Sequence, residues 1–344
     1  MKAVLIRQFG GPEVLEPAEL PDPAPKAGEV LLRVRACALN HLDLFVREGI
    51  PAYKIALPHT LGCDVSGEVA ALGAGVSGVA VGDRVAVAPG RSCGRCDFCA
   101  AGQDNLCPDY GIIGAQGGPG GYVQFLAVPQ QHLLPISKSL SFEAAAAFPL
   151  TFLTAWHMLI GLGGCGPEQT VLILGAGSGV GVAAIQIAKL AGACVIAVST
   201  SAAKLEQARK LGADETIHSP PEDMVRQTMK LTGRRMADIV FEHIGPAVFE
   251  NALKCLKPGG KLITCGSTTG ATVTLDMRYV FSRQYQILGS KMGTAREMRE
   301  VARLVDLGRL SPIVDRCFPL TQARQAHEYL AARKQFGKVV LQVD

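Results

Sequence analysis

Hydrophobic and polar positions alternate over short distances in the first 150 residues, and the period lengthens after that. Runs at 30–34, 65–70 and 84–88 have strand-like composition and are punctuated by Pro and Gly, with the turn Val81-Gly82-Asp83 between the last two. This spacing predicts an all-β, barrel-like domain. From about Leu150 onward, strand-like and helix-like runs alternate. A strand at 171–174 precedes a helix at 180–190, and a strand at 194–198 precedes a helix at 202–211 that Gly212 stops as a C-terminal cap. Segments 215–218, 221–231, 238–243, 246–256, 261–265 and 286–289 continue the alternation. Six strands separated mostly by helices predict a parallel, doubly wound α/β sheet with right-handed crossovers. A helix at 296–307 and a strand at 338–343 end the chain and are expected to return to the first domain.

The stretch 171–188 has only Ser178 and Gln186 as polar residues and is long enough to nominate a membrane helix. Gly175, Gly177, Gly179 and Gly181 break it in the middle, so a buried strand, a glycine turn and a buried helix fit it better.

A length of 344 residues favours two domains, and a hydrophobic fraction of 48 % is ample for their cores. The net charge of +4 is spread without a basic run, which argues against nucleic-acid and membrane-surface partners. Eleven cysteines without a secretory signal are expected as free thiols or metal ligands in a cytoplasmic protein.

Gly175-Ala-Gly-Ser-Gly-Val-Gly181 follows the first strand of the second domain and opens a helix. The amides of Gly175, Gly177, Ser178, Gly179, Val180 and Gly181 are therefore candidates to approach a pyrophosphate at the positive end of that helix. The same turn without a ligand is the alternative. The second strand runs into Val198-Ser199-Thr200-Ser201, with Lys204 following, and carries no carboxylate to grip ribose hydroxyls or repel a 2′-phosphate. Ser199, Thr200, Ser201 and Lys204 could bind that phosphate, which favours NADP(H) over NAD(H). Ser201 could equally serve as a helix cap.

Cys93, Cys96, Cys99 and Cys107 lie in a lobe at about 90–110. Four thiolates at this spacing can close a tetrahedron around one Zn²⁺, leaving no position for substrate, so a structural ion is expected; an iron–sulfur cluster is the rival.

Taken together, the chain resembles the medium-chain dehydrogenase/reductase superfamily over nearly its whole length. The likeness is carried by Gly82-Asp83-Arg84-Val85, the cysteine lobe, residues 150–156, the glycine turn and the terminal Phe336-Gly-Lys-Val-Val-Leu341. Asn40-His-Leu-Asp43 and Pro149-Leu-Thr-Phe-Leu-Thr-Ala-Trp156 look like its quinone oxidoreductase branch. The resemblance implies a GroES-like domain of residues 1–151 with 292–344, and a Rossmann domain of residues 152–291. It also implies further cofactor contacts at Thr154, His243, Ser267 and Lys338, and a homodimer or homotetramer paired through the strand near 286–290.

Zinc-dependent alcohol dehydrogenases of this superfamily carry a second, catalytic zinc. Their first ligand falls at Asn40, their His-Glu pair at Cys63-Asp64 and their third ligand near Leu150, while Leu42 replaces their proton relay. Asn and Leu are poor zinc ligands, although a rebuilt site on His59, Cys63 and Asp64 is an alternative. Without that Lewis acid, hydride addition to a quinone or an activated C=C remains feasible. Asn40 is the candidate hydrogen-bond donor to the substrate oxygen, or else a turn-stabilising residue. Asp43, three residues on, is expected to orient it. Tyr53 and His59 are weaker candidates for the pocket mouth or a proton donor, with ordinary packing as the alternative. Trp156 and Phe152 read as core, and His157, His218 and His327 have no legible partners.

The reading is therefore an NADPH-dependent reductase of a carbonyl-conjugated alkene or quinone. A zinc-dependent alcohol dehydrogenase/aldehyde reductase with an altered site, and a non-catalytic NADPH-binding structural or redox-sensing protein, are the alternatives.

Overall fold

The first 150 residues form nine strands, among them the expected apolar runs: β1 (Lys2–Leu5), β2 (Glu16–Glu19), β3 (Glu29–Ala38), β4 (Asp64–Leu72), β5 (Arg84–Val87), β6 (Gly90–Arg91), β7 (Gly111–Ile112), β8 (Phe125–Pro129) and β9 (Leu133–Pro135). They are seen in a computed structural model that describes residues 1–218 and 220–344. The chain divides into two units, Met1–Leu150 with Thr294–Asp344, and Thr151–Gly293. In the first unit β3 is central, antiparallel to both β4 and β8. Val30, Leu32, Val34 and Ala36 are buried on one of its faces, the period of two that a half-buried strand requires. Two register shifts between β3 and β4 bend the pair, as a sheet curling toward a barrel needs.

The second unit holds β10 (Thr170–Ile173), β11 (Cys194–Ser199), β12 (Glu215–His218), β13 (Ala237–Glu242), β14 (Leu256–Thr264) and β15 (Gln286–Gly289). All pair in parallel, in the order β12-β11-β10-β13-β14-β15. The strand order reverses between β10 and β13, and ligands of such sheets bind outside the carboxyl ends at that switch. Leu172, Ile196, Val240 and Leu262 are buried between the layers. The apolar run at 171–188 is β10, a turn and the helix Gly179–Leu190, most of which is buried. Among the described residues no helix is long and apolar enough to cross a membrane.

One element differs from expectation. The helix expected over 246–256 is only Phe249–Lys254, and β14 starts earlier, at Leu256. Leu256 pairs with Ala237, and the register then shifts so that Ile239 faces Lys261. The inserted Pro258-Gly259-Gly260, with Gly259 at φ +75°, makes a bulge that interrupts the strand pattern in the sequence.

After the second unit the chain forms the helix Ala295–Asp306 and rejoins the first sheet as β16 (Val314–Pro319) and β17 (Lys338–Gln342). β17 runs antiparallel to β3, with Val340 opposite Ala38, and Val339 O accepts from Leu39 N. This pairing sets Lys338 beside Asn40, nearly three hundred positions earlier in the chain.

Candidate active site and metal centre

The glycine turn joins β10 to the helix Gly179–Leu190. Gly175 takes φ +61°, a conformation that suits a residue without a Cβ. A Cβ on Gly181 would lie 2.5 Å from the Gly175 carbonyl oxygen, so helix and strand approach too closely for any side chain. Ser178 caps the helix by accepting from Gly181 N at 3.0 Å. Helix geometry leaves the amides of Gly179 and Val180 without intrahelical acceptors, the arrangement that holds a pyrophosphate. The turn therefore fits a dinucleotide. Lys204 packs over it, since a Cβ on Gly177 would stand 2.6 Å from Lys204 Cδ.

β11 ends in Ser199 with no carboxylate. Ser199 Oγ accepts from Ser201 N, and Ser201 caps the helix Ala202–Lys210 by accepting from Lys204 N. His218 Nε2 lies 3.2 Å from the Thr200 carbonyl. His243, following β13, donates from Nε2 to Leu174 O at 3.0 Å and stands 3.2 Å from Ser178 Oγ. Burial lowers its pKa, so the ring is neutral and braces the glycine turn. Ser267 donates to the Gly270 carbonyl, and Thr154 is buried with its hydroxyl toward Met292 Sδ.

The four lobe cysteines converge: their sulfurs all lie within 4.8 Å of one another, with Cys93 and Cys99 at 4.0 Å. A tetrahedron with metal–sulfur bonds of about 2.3 Å has edges of about 3.8 Å, so the cluster fits one zinc ion. Among the described residues no fifth His, Cys, Asp or Glu donor joins the group, so an ion held there would be enclosed by four thiolates, as structural sites are.

In the first unit, Asn40 stands between β3 and the helix His41–Glu48. Asp43 orients it, accepting from Asn40 N at 2.7 Å and from Gly62 N at 2.9 Å. The Asn40 side chain is fully engaged. Its Nδ2 donates to Asp64 Oδ2 at 2.9 Å and to Cys63 Sγ at 3.3 Å, while its Oδ1 accepts from Lys338 Nζ at 2.6 Å. Lys338 also donates to Asp64 Oδ2 at 2.8 Å, and Leu150 N holds Asp64 Oδ1 at 2.8 Å. Asp64 is fully buried and the Lys338 side chain is 5 % exposed. Two expectations change here. Asn40 does not present a free amide donor, because both its N–H groups are taken. Lys338, expected among the cofactor contacts, has its ammonium in this cluster instead.

The rebuilt metal site does not form. Among the described residues the only grouping of His, Cys, Asp and Glu donors able to hold an ion is the four lobe cysteines, so His59, Cys63 and Asp64 do not converge. The physical reasons are local. The Lys338 ammonium already balances Asp64, and burial together with the Asp64 charge pushes the Cys63 thiol up, away from the thiolate a metal needs.

His59 is buried with Nε2 unpartnered among the described residues, and borders a hollow of about 420 Å³ with Leu5, Leu20, Lys54 and Gln116. Tyr53 is half-buried, and burial raises its phenol. Neither joins the Asn40 cluster through a hydrogen bond. Sequence reasoning also missed His327. Its Nδ1 accepts from Arg47 Nη1 at 3.1 Å, which leaves the proton on Nε2 to meet Tyr122 Oη at 2.9 Å. Burial lowers its pKa to about 3. The three partners come from distant segments, so no local signal could reveal them.

The family model for the alcohol dehydrogenase GroES-like domain matches residues 26–138, and that for zinc-binding dehydrogenases matches residues 179–306. An alcohol dehydrogenase of Geobacillus stearothermophilus is 32 % identical, covering 100 % of both chains. A quinone oxidoreductase of Rattus norvegicus is 28 % identical over 99 % of this chain and 97 % of its own. A solved structure of an NAD-dependent alcohol dehydrogenase is 49 % identical, covers 100 % of both chains and superposes with a TM-score of 0.97. Matched from end to end by such relatives, with a GroES-like first domain and a Rossmann second domain, the chain belongs to the medium-chain dehydrogenase/reductase superfamily and is an oxidoreductase.

Proposed function

We propose that this oxidoreductase is an NADPH-dependent reductase that delivers hydride to a quinone or to the activated C=C of an α,β-unsaturated carbonyl. The observation that carries the reading is the Lys338 ammonium held between Asn40 Oδ1 and Asp64 Oδ2. A dication placed there would meet an amide, a buried thiol and an ammonium that already balances the Asp64 carboxylate. Without a Lewis acid, forming an alkoxide is difficult, whereas a conjugated acceptor already spreads its developing negative charge. Two of the three Lys338 N–H groups are used; the third, beside the Asn40 dipole, supplies the hydrogen bond to a substrate oxygen. Asp43 keeps Asn40 in place for this. Tyr53 and His59 flank the substrate approach.

When bound, the reduced nicotinamide supplies the hydride. The turn at 175–181 holds its pyrophosphate, with Thr154, His243 and Ser267 as further contacts. Preference for NADPH rests on the missing carboxylate after β11 and on Ser199, Thr200, Ser201 and Lys204. One zinc on Cys93, Cys96, Cys99 and Cys107 pins the lobe. The free thiols suit a reducing cytoplasmic setting. The chain pairs with copies of itself through the open edge of β15, where Ile287 is exposed, together with Met277 and Phe281 of the helix that precedes it.

A second reading, an NAD-linked alcohol dehydrogenase, is favoured by the name of the structure that is 49 % identical. Zinc content and turnover decide between them. The reductase is expected to carry about one zinc per chain and to oxidise NADPH, in preference to NADH, with quinones, enones or enoyl thioesters. About two zinc ions per chain with NAD⁺-linked alcohol oxidation would overturn it. Dinucleotide binding without turnover of any of these substrates, aldehydes included, would point to the non-catalytic alternative.

A further inference from the structure

Glu242 is the last residue of β13 and is fully buried, yet among the described residues it forms no ion pair. Its carboxylate is met by three donors instead. Oε1 accepts from Ile244 N at 2.5 Å and from Gly245 N at 2.6 Å, and Oε2 accepts from the Thr264 hydroxyl at 2.8 Å. Burying a carboxylate is expensive unless such donors saturate it, and a turn can be closed without one.

The position of this carboxylate explains its use. Thr264 ends β14, so Glu242 ties the carboxyl ends of two neighbouring strands. Cys265 N donates to the Glu242 carbonyl, and Thr269 donates to Ile244 O from both its amide and its hydroxyl. Gly245, at φ +90°, comes so close to the next loop that a Cβ would sit 3.2 Å from Ser267 Cα. Between Glu242 and the two amides it holds lies His243, whose ring reaches β10. A Cβ on Gly175 would be 2.8 Å from His243 Nε2. One carboxylate thus governs the loops after β13 and β14 and, through His243, the glycine turn after β10.

We propose that Glu242 is a positioning residue for the dinucleotide, a buried clasp that holds the three loops at the switch point in their binding conformation. Part of the ordering that a ligand would otherwise impose is already done in the free protein. The inference rests on the dinucleotide reading of this crevice. Its consequence is specific. The pyrophosphate side, which the His243-braced turn contacts, depends on the clasp, whereas the adenylate side beyond β11 does not.

The test is titration calorimetry on the full-length, zinc-loaded protein with NADPH, NADH, ADP-ribose and adenosine 2′,5′-bisphosphate. Glu242→Ala is expected to weaken the preferred dinucleotide and ADP-ribose by about tenfold or more, the loss of one or two charge-assisted hydrogen bonds. Adenosine 2′,5′-bisphosphate should change by less than about twofold, and Glu242→Gln, which keeps the shape and one acceptor oxygen, should stay within about threefold for all ligands. Should Glu242→Ala not fold, His243→Ala keeps the carboxylate and is expected to show the same pattern. Unchanged ADP-ribose affinity in a folded Glu242→Ala or His243→Ala protein overturns the clasp, as does equal weakening of all ligands. Failure of the wild-type protein to bind either dinucleotide would remove the underlying reading instead.

Discussion

Asn40 and Asp43 lie three residues apart, and their tie was legible because positions at that spacing meet on one helical turn. What the spacing could not show is that Lys338 and Asp64 take up the Asn40 side chain. Asp43 itself carries a pH dependence. Burial raises its carboxyl from 3.8 to about 6, against two amide donors that favour the ionised form. Above that value the carboxylate accepts from Asn40 N and Gly62 N; once protonated, it holds them less well. The rate constant kcat is therefore expected to rise with pH through about 6, and Asp43→Asn should flatten that limb in a profile between about pH 5 and 8. The same limb persisting in the variant would exclude Asp43. Stability moves oppositely. The folded-state value lies above the unfolded one, so Asp43 contributes most below about pH 4, and that contribution is lost as pH rises through about 6.

The cysteine lobe shows why spacing alone can specify a metal centre. Cys96 caps the single-turn helix Asp97–Ala100 and Cys99 lies within it, a helix too short to persist unaided, and the other two cysteines come from the segments on either side. Chelation, more than packing, orders such a loop. Cys96→Ser is expected to lower the zinc content from about one ion per chain and to reduce Tm by about 5 °C or more, read by metal analysis and calorimetry. Full zinc occupancy with an unchanged Tm would show that the lobe stands without its ion. Other elements were legible in proportion to their regularity. The helix Gly179–Leu190 and strand β11 are largely apolar runs of helix and strand length, whereas β14 begins in a Pro-Gly-Gly bulge that reads locally as a break.

At the scale of the whole molecule, the edge of the second sheet is the informative surface. Among the described residues β15 is paired on one side only, and Phe281, five positions before it in the helix Met277–Ser282, is 70 % exposed. Light scattering after gel filtration is expected to give a dimer or tetramer, and Phe281→Glu should shift the mass toward a single chain. A multimer unaffected by that change would place the interface elsewhere.

The parts of the molecule differ in how far sequence could define them. The zinc lobe and the glycine turn were readable because each is built from residues within about fifteen positions of one another, where chain geometry dictates proximity. The environments of Asn40, His327 and Glu242 were not. Their partners arrive through strand pairing and loop packing across 23 to 298 positions for Asn40, 205 and 280 for His327, and as little as two to 22 for Glu242. For Glu242 the obstacle was burial rather than distance, since a chain written in letters does not say which carboxylate is shut away from water. The residue types thus pointed to a four-thiolate cluster and a glycine turn opening a helix. That the Lys338 ammonium meets Asp64 was decided when β17 paired with β3, because that pairing brings the ammonium to the carboxylate.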